Sequence, residues 1–233
     1  MHLFFPSEKR KQFFLISGEE HRHLRVKRIH IGEEIGVIFE EKIYRCVLRE
    51  KKRDFSLAEI LEVIEPRQPQ PDLTLYQSLT HHIATVDFIV QKSVELGVLR
   101  FVPLLTERSF RNLSAIERRI QRWKKIIREA MKQCGRAYPM ELTAPVELSN
   151  LEPVHELNLL LDSFYEGVYV KDLNLEGVKD VAVVVGPEGG FTEKEAELLR
   201  EKGFLSVKLK PHILRTETAA VVAAGIIMNL AGS

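Results

Sequence analysis

The chain reads as an α/β protein: a parallel sheet covered by helices, preceded by a small, mainly β domain. Three observations carry this reading. From Phe4 to Ile64, short β-rich runs alternate with turns and charged breaks. Residues 65–72 then hold three prolines in eight positions. Beyond them, strands that are apolar throughout are separated by helical segments, the pattern of a parallel sheet buried on both faces.

In the first part, FFLI (13–16), EIGVIF (34–39), IYRCVL (43–48) and FSLAEILEVI (55–64) read as strands, broken at Ser17-Gly18, Ile31-Gly32 and residues 51–54. Proline removes backbone donors and disfavours helix, so the domain boundary falls in the proline stretch, with domains at 1–68 and 69–233. LTLYQSL (73–79) and FVPLL (101–105) then flank an amphipathic helix over 85–96 that Gly97 ends, a β-α-β unit. A helix over 115–134 aligns Ile116, Ile120, Trp123, Ile127, Ala130 and Cys134 on one stripe. Ser114 and Glu117 form its predicted capping box. LNLLLD, VAVVV, a helix over 193–202, LSVKLK and an apolar final helix complete the order.

Composition narrows the function classes. With 233 residues, 45% of them hydrophobic, the chain can bury a core, and a net charge of +1 means that any nucleic-acid surface must come from local clustering. The longest apolar run, Ala219 to Met228, falls short of the roughly 18–20 residues that span a bilayer. The opening MHLFFPSEKR lacks the order of an export signal. Cys46 and Cys134 are far apart and outside any CxxC, which suits thiols in a reducing cytoplasm. His81, His82, His155 and His212 show no metal-ligand spacing, so no metal is expected, and there is no GxSxG nucleophile elbow.

Two loops carry candidate chemistry. In VAVVVGPEGGFTEKE (181–195) a buried strand runs into a glycine-rich turn and a helix capped by Thr192 and Glu195. Glycines 186, 189 and 190 let a ligand approach the backbone at a strand's carboxyl end; the alternative is a tight strand-to-helix turn. Neither GxxxxGK[ST] nor GxGxxG is present. In LKPHILRTETA (209–219), Arg215, Thr216, Glu217 and Thr218 precede an apolar helix, either as a ligand-binding N-terminus or as a cap with Arg215 paired to Glu217. A third signal is charge. Between Arg108 and Arg136 stand ten Lys or Arg residues against Glu117 and Glu129, and Arg118, Arg119, Arg122, Lys125, Arg128 and Lys132 lie off the apolar stripe. A solvated face mixes signs, so this excess suits phosphates. HRHLRVKR (21–28) adds a smaller basic cluster.

HLRVKR (23–28), QKSVELGV (91–98), PLLTERS (103–109), EAMKQCGRAYP (129–139), VVGPEGGFTEKE (184–195) and LKPHILRTETA together resemble the 16S ribosomal RNA uridine-N3 methyltransferases, the RsmE family of the SPOUT superfamily. The resemblance covers nearly the whole chain. It implies a PUA-like β-barrel domain at 1–68 that holds RNA, and a SPOUT methyltransferase domain at 69–233 with a deep trefoil knot that also dimerises. It further implies S-adenosyl-L-methionine as cofactor and 16S rRNA of the small ribosomal subunit as partner. By the same resemblance Leu161, Gly186, Pro187, Gly189, Leu209, Ile213, Leu214, Thr216 and Thr218 are expected to contact the cofactor. Lys210 and His212 stand where the family has Gly and Arg.

Methylating uridine N3 requires removal of its weakly acidic proton and support for charge on the uracil carbonyls. Arg215 and Glu217 are the expected catalytic pair. Arg22, Arg25, Arg28, Arg108, Arg122 and Arg136 are the expected RNA contacts. Two other classes stay open at this stage: a non-catalytic assembly protein, and an enzyme that methylates another RNA position such as a ribose hydroxyl.

Overall fold

The structure is a computed structural model that describes residues 1–164 and 167–231. It divides into two compact units: Met1–Gln68 with Met131–Pro139, and Pro69–Ala130 with the chain from Met140 onward.

The first unit is built on a six-stranded sheet. Its strands are β1 (Leu3–Phe4), β2 (Glu8–Arg10), β3 (Phe13–Ser17), β4 (Glu34–Phe39), β5 (Lys42–Lys51) and β6 (Phe55–Ile64), and α1 (Gly18–Val26) lies between β3 and β4 in the chain. The order is β1-β4-β5-β6-β3-β2, with β1 and β4 parallel and the other pairs antiparallel. Alternation in β3 and β6 sends Phe14, Ile16 and Ala58 into a core with Leu24, Ile35, Val37, Tyr44 and Leu48. Phe14 meets the Tyr44 ring edge-on at 4.9 Å. Cys46 is buried there, and burial pushes its thiol up to about 12, so it stays protonated at neutral pH. α1 corrects the sequence reading, which has a turn at Ser17-Gly18. In GEEHRHLRV only His21 and Leu24 are buried, too few to write a helical stripe. His21 is held through Ser56 Oγ (3.0 Å) and the Arg53 carbonyl (3.2 Å).

The second unit carries a parallel sheet. In chain order its strands and helices are β7 (Asp72–Ser78), α2 (Ala84–Glu95), β8 (Arg100–Leu105), α3 (Leu113–Cys134), β9 (Glu141–Leu142), β10 (Val146–Glu147), β11 (Leu157–Leu161), β12 (Val168–Tyr169), β13 (Asp180–Val185), α4 (Glu193–Glu201), β14 (Leu205–Lys208) and α5 (Thr216–Leu230). The strand order is β10-β8-β7-β13-β11-β14-β12, with β9 on β8, and every pair is parallel. Val181 to Val185 are all buried, which alternating side chains allow only where both faces are covered. Leu160 and Val184 pack with Ala196 and Leu199 of α4, while α5 runs against β7, β13 and α2.

The parallel sheet, the two strands of the β-α-β unit and the capping box of α4 agree with the sequence reading. In that box Thr192 Oγ1 accepts from the Glu195 N–H, and Glu195 Oε2 accepts from the Thr192 N–H. The box predicted at Ser114 and Glu117 is absent: α3 begins earlier, and Asn112 Oδ1 accepts from the Ala115 N–H at 3.1 Å. A carboxamide two residues upstream serves the free N–H groups, so the helix starts two residues earlier than expected.

Candidate functional site: a cleft at the strand ends

β13, β11 and β14 are neighbours, so Val185, Leu161 and Lys208 end side by side and the loops that follow them converge. They enclose a cleft of about 530 Å³. Leu161, Phe164, Val185, Phe191, Leu209, Ile213 and Leu214 supply an apolar lining, and the backbone of 186–190 and 209–212 supplies polar edges. A Cβ at Gly186 would sit 3.3 Å from the Phe191 ring and backbone nitrogen, so Phe191 would have to give way by a few tenths of an ångström. Gly190 has φ +66°, the left-handed region that favours glycine.

Side chains from other elements fix these loops. Thr216 Oγ1, at the start of α5, donates to the Gly186 carbonyl (2.5 Å) and accepts from Gln77 Nε2 of β7 (3.0 Å). Gln77 is fully buried, so this pair ties the first turn of α5 to the glycine loop through the sheet. Glu188 accepts from the N–H groups of His81 and His82, at 3.3 Å each. Arg108 Nη1 donates to the Gly189 carbonyl at 2.7 Å. Asp162, just past β11, accepts from Arg200 Nη1 (2.5 Å), Ser206 Oγ (3.0 Å) and the Phe164 N–H (2.8 Å). Its side chain is 1% exposed, and the arginine together with two further hydrogen bonds offsets the cost of burying the charge. Lys210 places its ammonium 3.7 Å from the centre of the Tyr169 ring.

Eight of the nine expected cofactor contacts line this cleft: Leu161, Gly186, Pro187, Gly189, Leu209, Ile213, Leu214 and Thr216. Thr218 is exposed on α5 and does not line it. Arg215 is the N-cap of α5, with an exposed side chain, and Glu217 follows in the first turn. Among the described residues neither side chain makes a hydrogen bond or ion pair, so the pairing of Arg215 with Glu217 does not form. Thr216 does not cap the helix either, since its hydroxyl is spent on Gly186.

Of the expected RNA contacts, Arg22 and Arg25 on α1 and Arg28 just after it are exposed in the first unit. Arg108 is exposed beside the glycine loop, and Arg122 is exposed with its Nε on Asp87. Arg136 is 8% exposed, its Nε donates to the Tyr138 carbonyl, and burial lowers its pKa from the usual guanidinium value. The sequence reading missed Gln77, Asp162 and Glu188. Gln77 is a polar residue inside an apolar strand, and that anomaly was the available signal.

The cleft fits S-adenosylmethionine on its own geometry. Its volume suits a small organic ligand, its walls suit an adenine, and its backbone edges suit the polar ends. A family model for an RNA methyltransferase domain matches residues 66–228. The ribosomal RNA small subunit methyltransferase E of Aquifex aeolicus (strain VF5) is 52% identical, covering 98% of this chain and 100% of the relative. That of Synechocystis sp. is 34% identical, with 93% and 72% covered. Two solved structures superpose over nearly the full chain. A putative methyltransferase from Legionella pneumophila in complex with bound SAM has TM-score 0.86 and 30% identity, covering 97% of this chain and 96% of its own. The ribosomal RNA small subunit methyltransferase E from Neisseria gonorrhoeae bound to S-adenosyl methionine has TM-score 0.85 and 28% identity, with 99% and 98% covered.

Proposed function

The chain belongs to the RNA methyltransferase family that includes the ribosomal RNA small subunit methyltransferases E, and from that membership we propose that it methylates N3 of a uridine in 16S ribosomal RNA. It is an S-adenosylmethionine-dependent RNA methyltransferase. The observation that carries the proposal is the convergence of the glycine loop and the 209–214 loop on one cleft, with Arg215 and Glu217 at its edge on α5.

Leu161, the 186–190 loop and Leu209 to Leu214 hold the cofactor, which when bound supplies a methyl group already activated on a sulfonium. Thr216 and Gln77 keep the glycine loop in place for it. Arg215 stabilises negative charge on the uracil carbonyls as N3 loses its proton, helped by the positive end of the α5 dipole. Glu217 takes that proton or orients Arg215. Both side chains are free of other partners among the described residues, which leaves them available to a substrate.

In this reading the first unit is a PUA-like RNA-holding domain, with Arg22, Arg25 and Arg28 on phosphates, and Arg108 and Arg122 contribute from the second. The second unit is the SPOUT methyltransferase domain. Its chain is knotted as a deep trefoil and it pairs with a second copy. No helix among the described residues is long and apolar enough to cross a membrane. The enzyme works in the cytoplasm, on the small ribosomal subunit.

The test is incubation with radiolabelled S-adenosylmethionine and small subunits lacking their native modifications, with mass-spectrometric mapping of the labelled nucleotide. N3-methyluridine in 16S RNA is the expected product. Label on a ribose hydroxyl, or none despite cofactor binding, contradicts the proposal.

A further inference from the structure

A second cavity, of about 480 Å³, opens in the same unit and shares no lining residue with the cleft. Ile83, Phe110 and Ala115 form its apolar part, and Arg118, Arg119 and Arg122 its charged part. The arginines are organised from below. Asp87 Oδ2 accepts from Arg122 Nε (2.7 Å) and Arg119 Nη1 (3.2 Å), and its Oδ1 accepts from Trp123 Nε1 (2.8 Å). The Asp87 side chain is 12% exposed, and Trp123 is fully buried, so this carboxylate is a fixed brace. The carboxylate pairs with two of the three guanidinium groups, and Arg118 has no hydrogen bond or ion pair among the described residues. A purely structural brace needs neither the surplus charge nor a half-buried phenyl ring beside it.

The cavity also borders the glycine loop through shared backbone. Ile83 directly follows His81 and His82, whose N–H groups bond Glu188 of the cleft. Phe110 donates its N–H to the carbonyl of Leu79, at the start of that same loop (2.9 Å). Arg108, two residues before Phe110, holds Gly189.

We propose that this cavity is a subsite for one unstacked nucleotide of the substrate RNA, flanking the nucleotide that is methylated. The base lies on Phe110 and Ile83, and the adjoining phosphates take Arg118, Arg119 and Arg122. The proposal rests on the RNA-substrate reading above and adds a defined place for a second nucleotide. Planar guanidinium groups and an aromatic face match the phosphates and π-face of single-stranded RNA. Holding a neighbouring nucleotide also keeps the target base out of its stack. Asp87 fixes two of the arginines in advance, so little side-chain freedom is lost when the strand binds.

The experiment is fluorescence anisotropy of a labelled short oligouridylate with the full chain across a salt series, with S-adenosylmethionine binding measured by calorimetry in parallel. Phe110→Ala should weaken oligouridylate binding by about tenfold with an unchanged salt slope, because it removes stacking and no charge. Phe110→Trp should bind as the wild type does. Arg118→Gln should weaken binding and lower the salt slope by about one. All three should keep the wild-type cofactor affinity. If wild type binds oligouridylate and both Phe110→Ala and Arg118→Gln match it, the subsite is wrong while the RNA reading stands. If wild type ignores oligouridylate, the subsite is wrong, and the RNA reading falls with it only if 16S RNA also fails to bind in the same assay.

Discussion

The cleft at the strand ends and the cavity at α3 belong to one compact unit and are built on opposite plans. The cleft is made by loops: its polar edges are largely backbone, and its shape depends on glycines and on a few buried tethers such as Gln77 and Thr216. The cavity is made by side chains: three arginines from one helix stand around three apolar residues, with a single carboxylate braced against two of the arginines. A loop-built site selects by shape and main-chain hydrogen bonds, which suits a cofactor that is always the same molecule. A charged helix face tolerates variation and grips phosphates, which suits a polymer. The two plans differ in what damages them, and each of the following changes presses on that difference.

The largest effect is expected at the edge of the cleft. Arg215→Ala should lower turnover by about 100- to 1,000-fold while leaving cofactor affinity at the wild-type value, since the side chain has no partner to release. Single-turnover methyl transfer alongside calorimetry measures both, and an equal loss in the two would make Arg215 part of the cofactor site instead. Next comes the brace. Asp87→Ala leaves the indole N–H of Trp123 without its acceptor and two arginines without a counter-charge, and should cost roughly 2 kcal/mol in urea unfolding. A neutral result would mean that α3 does not depend on the carboxylate. Thr216→Val removes the hydroxyl between Gln77 and Gly186 and should raise the cofactor Kd by about tenfold, with no change in salt dependence. An unchanged Kd would show that the glycine loop holds its shape without the tether. The smallest change is Thr192→Ala, which breaks the capping box of α4 and should cost about 1 kcal/mol of stability with both affinities unaltered.

The two sites were not equally legible in the sequence. Eight of the cleft's residues could be named in advance because the segments LLLDS, VVGPEGG and LKPHILRTET resemble those of a known family. The periodicity alone left both loops open between a turn and a site. The basic excess on α3 was countable, but its arrangement was not. Asp87 sits on α2 with nothing nearby in sequence to pair with, and only folding brings it to Arg119, Arg122 and Trp123. The same limit hid the strand order. The longer strands of the parallel sheet, β7, β8, β11, β13 and β14, announce themselves as apolar runs, whereas the two-residue strands β9, β10 and β12 leave no run to read, and the insertion of β13 between β7 and β11 is a non-local choice that no window of sequence contains. In the first unit, β-rich runs separated by turns and charged breaks marked β3 to β6 plainly, whereas α1 buries only His21 and Leu24 and so left no stripe to read. Asn112 took the cap expected of Ser114 because both residues can accept from a free N–H and only packing decides between them.

The division between a loop-built cofactor cleft and a charged RNA surface is tested most directly by one salt titration that follows both affinities in the same wild-type protein. The S-adenosylmethionine Kd should stay nearly flat while the affinity for 16S RNA falls steeply and linearly on logarithmic axes. A cofactor affinity that falls in step with that for RNA, or an RNA affinity that ignores salt, would contradict that division.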